Sequence, residues 1–440
     1  MNGGHAAIRV PTPCKFVIYG VWKMEQRKRR RKKRGCLGCL GVVLQAVAVL
    51  VLTCVIVSVA LPGVMELLPD LPRDLKKAVS ESRVPFEELA VVEEDVTAGY
   101  YYQNLNDEER QIYKEILQGV QKREETIYVH TGDFELLKKV YHFLVFDRPE
   151  LFWCTGGLEA TYYPTYSELS VEYNCTEEER LIKRQQIDAE AEMALNLLLV
   201  QHSAERFDQV PEYERVKFVF EYLVNTVDYV EGAPDNQNIY SALVGKRTVC
   251  AGYARSAQYL LQKMGMECIY VTGTCANGEA HAWNLVKCEG NWYQMDVTFG
   301  DPEYMQTEEG EALESSEIDY GYLCCNDEQM LKERVADDLV PFPPCTSLDY
   351  NYYVMRGRYY AGYNAGRVLE DMKQDIYNGE KKFVCQFASG ELCSQAFADM
   401  EANLFQEAAQ TFMTVYGLQN VEYYYLEDQS TNTVKVYWNE

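Results

Sequence analysis

Apolar residues recur at helical spacing in several stretches of the chain. Over 249–264, Ala254, Ala257, Leu260, Leu261 and Met264 fall on one face. Gly265 follows as a stop signal, and Lys263 sits in the last turn, where its charge suits the helix dipole. Ile112, Ile116 and Val120 form a similar stripe over 107–120, and 133–146 reads as a second helix. A long helix is predicted over 176–202, because Thr176 with Glu179 three residues on makes a capping box. Another is predicted over 212–227. Between the early helices, Phe152-Trp153, Tyr162-Tyr163 and 169–173 read as short strands.

After Gly265 the pattern changes to strands, at 268–274, 281–288 and 292–297. Glu289-Gly290-Asn291 lies between the last two and signals a hairpin, since Gly tolerates the positive φ of a tight turn. The loop length decides what meets what. With two loop residues, Cys288 faces Asn291, His281 faces Thr298, and Asp296 is a diagonal neighbour of His281 on the same sheet face. Four loop residues put His281 opposite Asp296. Three separate them onto opposite faces unless a bulge intervenes. Beyond residue 350 an α/β tail is predicted: a helix over 365–377, a strand over 382–387, a helix over 392–416, and strands over 421–425 and 433–438. Five tyrosines precede it, at 352, 353, 359, 360 and 363. They read as packed strand aromatics or as a peptide- or glycan-recognising surface.

Charge changes the picture at the N-terminus. Residues 1–34 hold 11 Lys or Arg and one acidic residue, while the remainder holds 31 basic and 66 acidic. Residues 35–63 carry no charge and are mostly Leu, Val, Ala, Ile and Cys. That run exceeds the roughly 20 residues needed to cross a bilayer core. The basic block before it argues for an inside N-terminus and an outside acidic bulk. It also accounts for the block better than nucleic-acid binding does, which the acidic remainder disfavours. The expected organisation is a basic cytoplasmic tail (1–34), one transmembrane helix (35–63), a linker (64–100), a mostly helical region (101–232), a catalytic core (233–345) and an α/β extension (346–440). The location expected is the cell membrane, single-pass, with the bulk extracytoplasmic. Eleven cysteines follow the apolar run. An odd count outside the cell fits one free thiol and up to five bridges, whereas a reducing habitat leaves all of them as thiols. No paired C-x-x-C or Cys/His cluster suggests a metal there.

Three blocks within 49 residues carry candidate chemistry: Thr248-Val249-Cys250-Ala251-Gly252-Tyr253-Ala254, His281-Ala282-Trp283-Asn284, and Trp292-Tyr293-Gln294-Met295-Asp296. Cys250 falls in the first turn of the 249–264 helix. Unpaired backbone N–H groups there stabilise a thiolate and can donate to an oxyanion. A His can take the thiol proton, and an acid can set the imidazole's tautomer and tilt. Of the other histidines (His5, His130, His142 and His202), none has comparable surroundings. Tyr240, ten residues before the cysteine, is a candidate oxyanion or cleft donor, and Trp283 a candidate cleft wall.

These blocks resemble the transglutaminase-like branch of the papain-like cysteine enzymes, of the bacterial membrane-anchored type. The likeness rests on Cys250-Ala251-Gly252-Tyr253-Ala254, His281-Ala282-Trp283-Asn284 and Asp296-Val297-Thr298, and covers roughly 238–302. It implies an α+β fold in which a helix bearing the cysteine packs on an antiparallel sheet bearing the His and Asp. It assigns Cys250 as nucleophile, His281 as general base and Asp296 as orienter. It implies no cofactor and a peptide or protein substrate. The family includes peptidases, deamidases, transamidases and inactive members. The reaction therefore stays open, as does a catalytically inactive module that binds surface protein or wall polymer.

Overall fold

The computed structural model describes residues 84–301 and 318–439. By internal packing these fall into two units, one of 84–145 with 154–173, the other of 146–153 with the described part of 174–439.

The first unit carries helix α1 (Asp107–Lys122), strand β1 (Ile127–Val129), most of α2 (Phe134–Asp147), and the hairpin β2 (Cys154–Tyr162) and β3 (Ser167–Tyr173). Asn106 and Glu109 close a capping box on α1, and three acids in its first turn suit the dipole. The expected stripe of Ile112, Ile116 and Val120 is buried. Gly119 is needed there, because a Cβ would come within 2.4 Å of Ile127. The three strands make an antiparallel sheet in the order β1-β3-β2. The strands expected at Tyr162-Tyr163 and 169–173 fall at the end of β2 and within β3; β1 and most of β2 were not foreseen. Phe152 and Trp153 are not a strand; they form the turn before Cys154.

The second unit opens with α3 (Glu177–Gln201), whose Thr176–Glu179 capping box forms as predicted, and α4 (Glu212–Thr226). α5 (Ile239–Leu243) and α6 (Cys250–Lys263) follow. The site sheet is β4 (Cys268–Cys275), β5 (Ala280–Cys288), β6 (Asn291–Met295) and β7 (Arg334–Ala336), antiparallel throughout, in the order β6-β5-β4-β7. Helices α3 and α4 both contact α6. Tyr259 on α6 donates to Asp188 on α3 at 3.0 Å, and Arg215 on α4 donates to the Met264 carbonyl at 3.1 Å.

The tail adds β8 (Tyr359–Tyr360), α7 (Ala365–Tyr377), β9 (Lys382–Phe387), α8 (Gly390–Asp399), α9 (Phe405–Tyr416), β10 (Glu422–Asp428) and β11 (Thr433–Asn439). Its sheet runs β8-β9-β11-β10, with only the β8–β9 pair parallel. The single helix expected over 392–416 is interrupted by a π-turn at Met400–Leu404. The tyrosines are packed. Tyr353 and Tyr360 are buried, Tyr352 stacks on Tyr320 at 3.8 Å, and Tyr363 donates to Asp399.

The expected transmembrane helix, 35–63, lies outside the described residues. Among the described residues no helix is long and apolar enough to cross a membrane. No disulfide joins any of the eleven described cysteines, so the bridges the odd count allowed do not form here.

Candidate functional site

Helix α6 starts where the sequence forces a turn. Val249 is extended, at φ −118° and ψ −179°, and Cys250 is the first helical residue. Upstream, Thr248 is buried; its hydroxyl donates to the Asn236 carbonyl at 2.8 Å and lies 2.8 Å from Ser241 Oγ. Gly252 lies flush on that hydroxyl: a Cβ there would sit 1.8 Å from Thr248 Oγ1. Gly252→Ala is therefore expected to cost about 1–3 kcal/mol, readable as a lower midpoint in chemical denaturation. The backbone amides of Gly252 and Tyr253 turn back onto the Val249 carbonyl at 2.9 and 3.1 Å. Those of Cys250 and Ala251 stand outside the helical ladder, as first-turn amides must.

Cys250 is fully buried and forms one packed cluster with Ala254, Tyr270, Ala282 and, at its edge, Phe146. Ala282 directly follows His281. Asn284, two residues further along β5, donates to the Ala254 carbonyl at 3.0 Å. Helix α6 is thereby tied to the strand that bears the histidine, one turn below the cysteine. Tyr253 also anchors the helix, its single hydroxyl proton shared between Val227 O at 2.5 Å and Asp301 Oδ2 at 2.8 Å.

The hairpin takes the two-residue register. Cys288 pairs with Asn291, and Glu289 (φ 48°) and Gly290 (φ 87°) form the turn. Positive φ at both central positions matches a type I′ turn. Pairing ends at Met295, and Asp296 becomes the N-cap of a single helical turn, Val297–Gly300. Its Oδ1 accepts Phe299 N–H at 3.2 Å. Its Oδ2 accepts from His281 Nε2 at 2.7 Å, the diagonal contact the register allows. Both residues are buried, His281 to 5% exposure and Asp296 to 0%.

Asp296 has a second cation. Arg334 on β7, itself 4% exposed, pairs its Nη1 with the same Oδ2. Burial pushes the Asp296 carboxyl up, but the charges of His281 and Arg334 outweigh it and hold it down at about 2. An ionised carboxylate only accepts hydrogen bonds. Nε2 of His281 must then carry the proton, and Nδ1 is the ring nitrogen left to accept. The imidazole is also fixed by its neighbours, stacked on Trp283 with centroids 6.0 Å apart and edge-on to Phe299 at 4.9 Å.

Two weaker candidates sit elsewhere. Trp283 is buried in the core and gives its indole N–H to Gln294 Oε1 at 2.7 Å, so that N–H is not offered to a substrate. Gln294 in turn donates to Asp327 at 2.8 Å. Tyr240 directs its hydroxyl to Gln186 on α3 at 3.2 Å, under Lys183. Tyr240→Phe is therefore expected to change any turnover by less than about threefold, since only this one exposed hydrogen bond is lost; steady-state rates with a peptide substrate check it. Arg334 was not foreseen. It lies 38 residues beyond Asp296 in no recognisable motif, and only the pairing of β7 with β4 brings it in. Among the described residues no group of three or more His, Cys, Asp or Glu is arranged to hold a metal ion.

Comparison with known proteins finds similarity over part of the chain. The kyphoscoliosis peptidase of Mus musculus is 30% identical over 105 residues, covering 20% of this chain and 16% of that protein. The kyphoscoliosis peptidase of Homo sapiens is 27% identical over 167 residues, covering 33% and 24%. The chain thus spans no more than about a quarter of either curated relative's length. A crystal structure of a TGase aligns at 17% identity over 32% of this chain and 44% of that one, with a TM-score of 0.23, too loose a likeness to bear on the fold. Residues 201–297 match the model of the transglutaminase-like superfamily, a segment that contains Cys250, His281 and Asp296. The chain carries a transglutaminase-like domain.

Proposed function

We propose that this domain is a thiol enzyme acting on peptide or carboxamide bonds. The observation that carries the reading is the buried His281–Asp296 pair, 2.7 Å apart, on the strand to which the Cys250 helix is tied. Cys250 is the nucleophile, His281 the general base and acid, and Asp296 the orienter. Nδ1 of His281 takes the thiol proton, and the thiolate attacks the carbonyl carbon. The first-turn amides of α6 face the oxyanion. The C–N bond breaks as His281 returns its proton to the leaving amine, leaving an acyl-thioester. Attack by water gives hydrolysis or, on a Gln side chain, deamidation; attack by an amine gives transamidation. In each case His281 accepts the attacking group's proton and Cys250 leaves as the thiolate.

The test is incubation of the full-length chain with Gln-containing peptides, with and without a primary amine, read by mass spectrometry. Cleavage, loss of ammonia or amine incorporation, each absent in Cys250→Ala, supports the enzyme. The same products from wild type and variant sink it.

One observation favours a second reading. Cys250 is 0% exposed, and a sealed thiol suits a catalytically inactive module that binds surface protein or wall polymer. That module predicts no product in any arm and unaltered partner binding by Cys250→Ala.

We further propose that residues 35–63 anchor the protein as a single span, with the acidic bulk outside. The uncharged run behind a basic block supports this. A C-terminal reporter protected from external protease in intact cells would reverse the orientation.

A further inference from the structure

Asp296 receives two cations on a single oxygen, His281 Nε2 and Arg334 Nη1. The Arg334 guanidinium lies 4.7 Å from the Phe299 ring centre, 5.5 Å from Trp283 and 5.8 Å from Tyr322, against the rings that frame the histidine. A buried arginine costs several kcal/mol unless it is paired, so this placement needs Asp296 as much as Asp296 needs it. Arg334 also comes from outside 201–297, the segment that matches the family model. The chain just before it is clamped to the tail: Lys332 donates to Gln429 O at 2.8 Å and to Asn432 at 3.0 Å in the β10–β11 turn.

We infer that Arg334 is a positioning residue, which keeps Asp296 a hydrogen-bond acceptor throughout the cycle and so holds His281 in the tautomer that leaves Nδ1 open to the thiol. The inference rests on the thiol-enzyme reading above. In that cycle His281 is cationic while the thiolate waits and neutral once the leaving amine has taken its proton. In the neutral half, His281 no longer helps to hold Asp296 ionised. A fully buried carboxyl without a cation takes up a proton. Protonated Asp296 would donate to Nε2, and the ring proton would then sit on Nδ1, where it blocks acceptance of a proton from water or amine. Arg334 is charged at every working pH and prevents that exchange.

The other titratable groups around this pair do not substitute for it. Tyr322, under Arg334, and Cys325, which feels both Arg334 and Asp296, are pushed up by burial and stay neutral. The charge of Asp319 pushes Cys325 up and that of Lys332 pulls it down, and Cys275 acts on Arg334 from β4. Cys250, which packs with Ala282 next to His281 in the chain, is the group whose titration is read.

The experiment is the rate of Cys250 alkylation by iodoacetamide between pH 4 and 9.5, in the full-length wild type, Arg334→Met and Arg334→Lys. Removing a permanent positive charge makes each neighbouring group harder to deprotonate. The acid limb of the Met variant is expected to move up by about one to two pH units. The Lys variant, which keeps the charge, is expected to return most of that shift. Where circular dichroism shows that Arg334→Met has lost its fold, Arg334→Gln, uncharged but still a donor, is expected to give the same displacement. A merely structural arginine lowers the rate alike at every pH and in both Met and Lys variants, and that result overturns the inference. So does an acid limb that stays in place. An unreactive Cys250 in the wild type sinks the thiol-enzyme reading and this inference together; a reactive one with an unmoved limb sinks this inference alone.

Discussion

Replacing His281 with Gln is expected to lower amide turnover by about 10³–10⁴-fold while leaving the fold intact. Gln is the informative replacement because its side-chain amide can still donate to Asp296 Oδ2. The carboxylate and Arg334 then stay paired, and no buried charge is stranded. What goes is the group that accepts the thiol proton and returns it to the leaving amine. The loss should also depend on pH. An unassisted thiol has a pKa of about 8.5, so at pH 6 only roughly 0.3% of it is thiolate. Alkylation of Cys250 at pH 6 should therefore collapse in the variant, whereas at pH 9.5 it should approach the wild-type rate. Equal rates for the two proteins at pH 6 would mean that the imidazole does not activate the sulfur.

Replacing Lys435 with Met should cost about 3–5 kcal/mol of stability, the usual penalty for stranding half of a buried ion pair. Lys435 on β11 is 5% exposed and sits 2.6 Å from Asp319 and 3.9 Å from Asp428. Burial pulls its ammonium down, yet the two carboxylates outweigh that and keep it firmly charged. Asp428 has other donors, Ser430 N–H at 2.9 Å and Thr431 Oγ1 at 3.0 Å. Among the described residues, Asp319 otherwise accepts the Gly321 amide, at 2.8 Å. Asp319 is the residue that stands to lose most. It also caps the turn Tyr320–Tyr322, whose Tyr322 carbonyl accepts the Asp296 amide at 3.0 Å. Loss of Lys435 should thus loosen the tail and the acid of the site together. Urea unfolding of the full chain measures the first effect. Adding Asp319→Asn, which removes the stranded charge, should recover a large part of it. No recovery in the double variant would show that Lys435 acts through its apolar stem alone.

The elements that carry the candidate chemistry were legible because their signals are local. Helix α6 announces itself by five apolar residues on one face and by Gly265, which adopts φ +75° just past its end. The Glu289-Gly290-Asn291 turn and the two-residue alternation narrowed the pairing to three registers, and the structure takes the two-residue one, which makes Asp296 diagonal to His281. The Thr176 and Glu179 pair marked the start of α3 correctly for the same reason: a cap is a bond between residues three apart. Other features gave no such signal. β1 is only three residues long and most of β2 is partly buried, so neither shows the alternation that marked 169–173. The grouping of α3 and α4 with the core depends on which neighbour covers their apolar faces, and a stripe does not name its partner. The count of cysteines could not say whether any two would meet.

By itself, then, the amino-acid order determined which residues are candidates for thiol chemistry and which secondary elements hold them, since propensity, capping and strand alternation act over a few residues. Tertiary structure alone decided what surrounds them. It seated Arg334 on the acid partner through a strand pairing that spans some 60 residues, turned Trp283 and Tyr240 to other donors and acceptors, and left every described cysteine without a bridge. Those outcomes follow from long-range burial, where a charge or donor must find whatever partner the packing delivers.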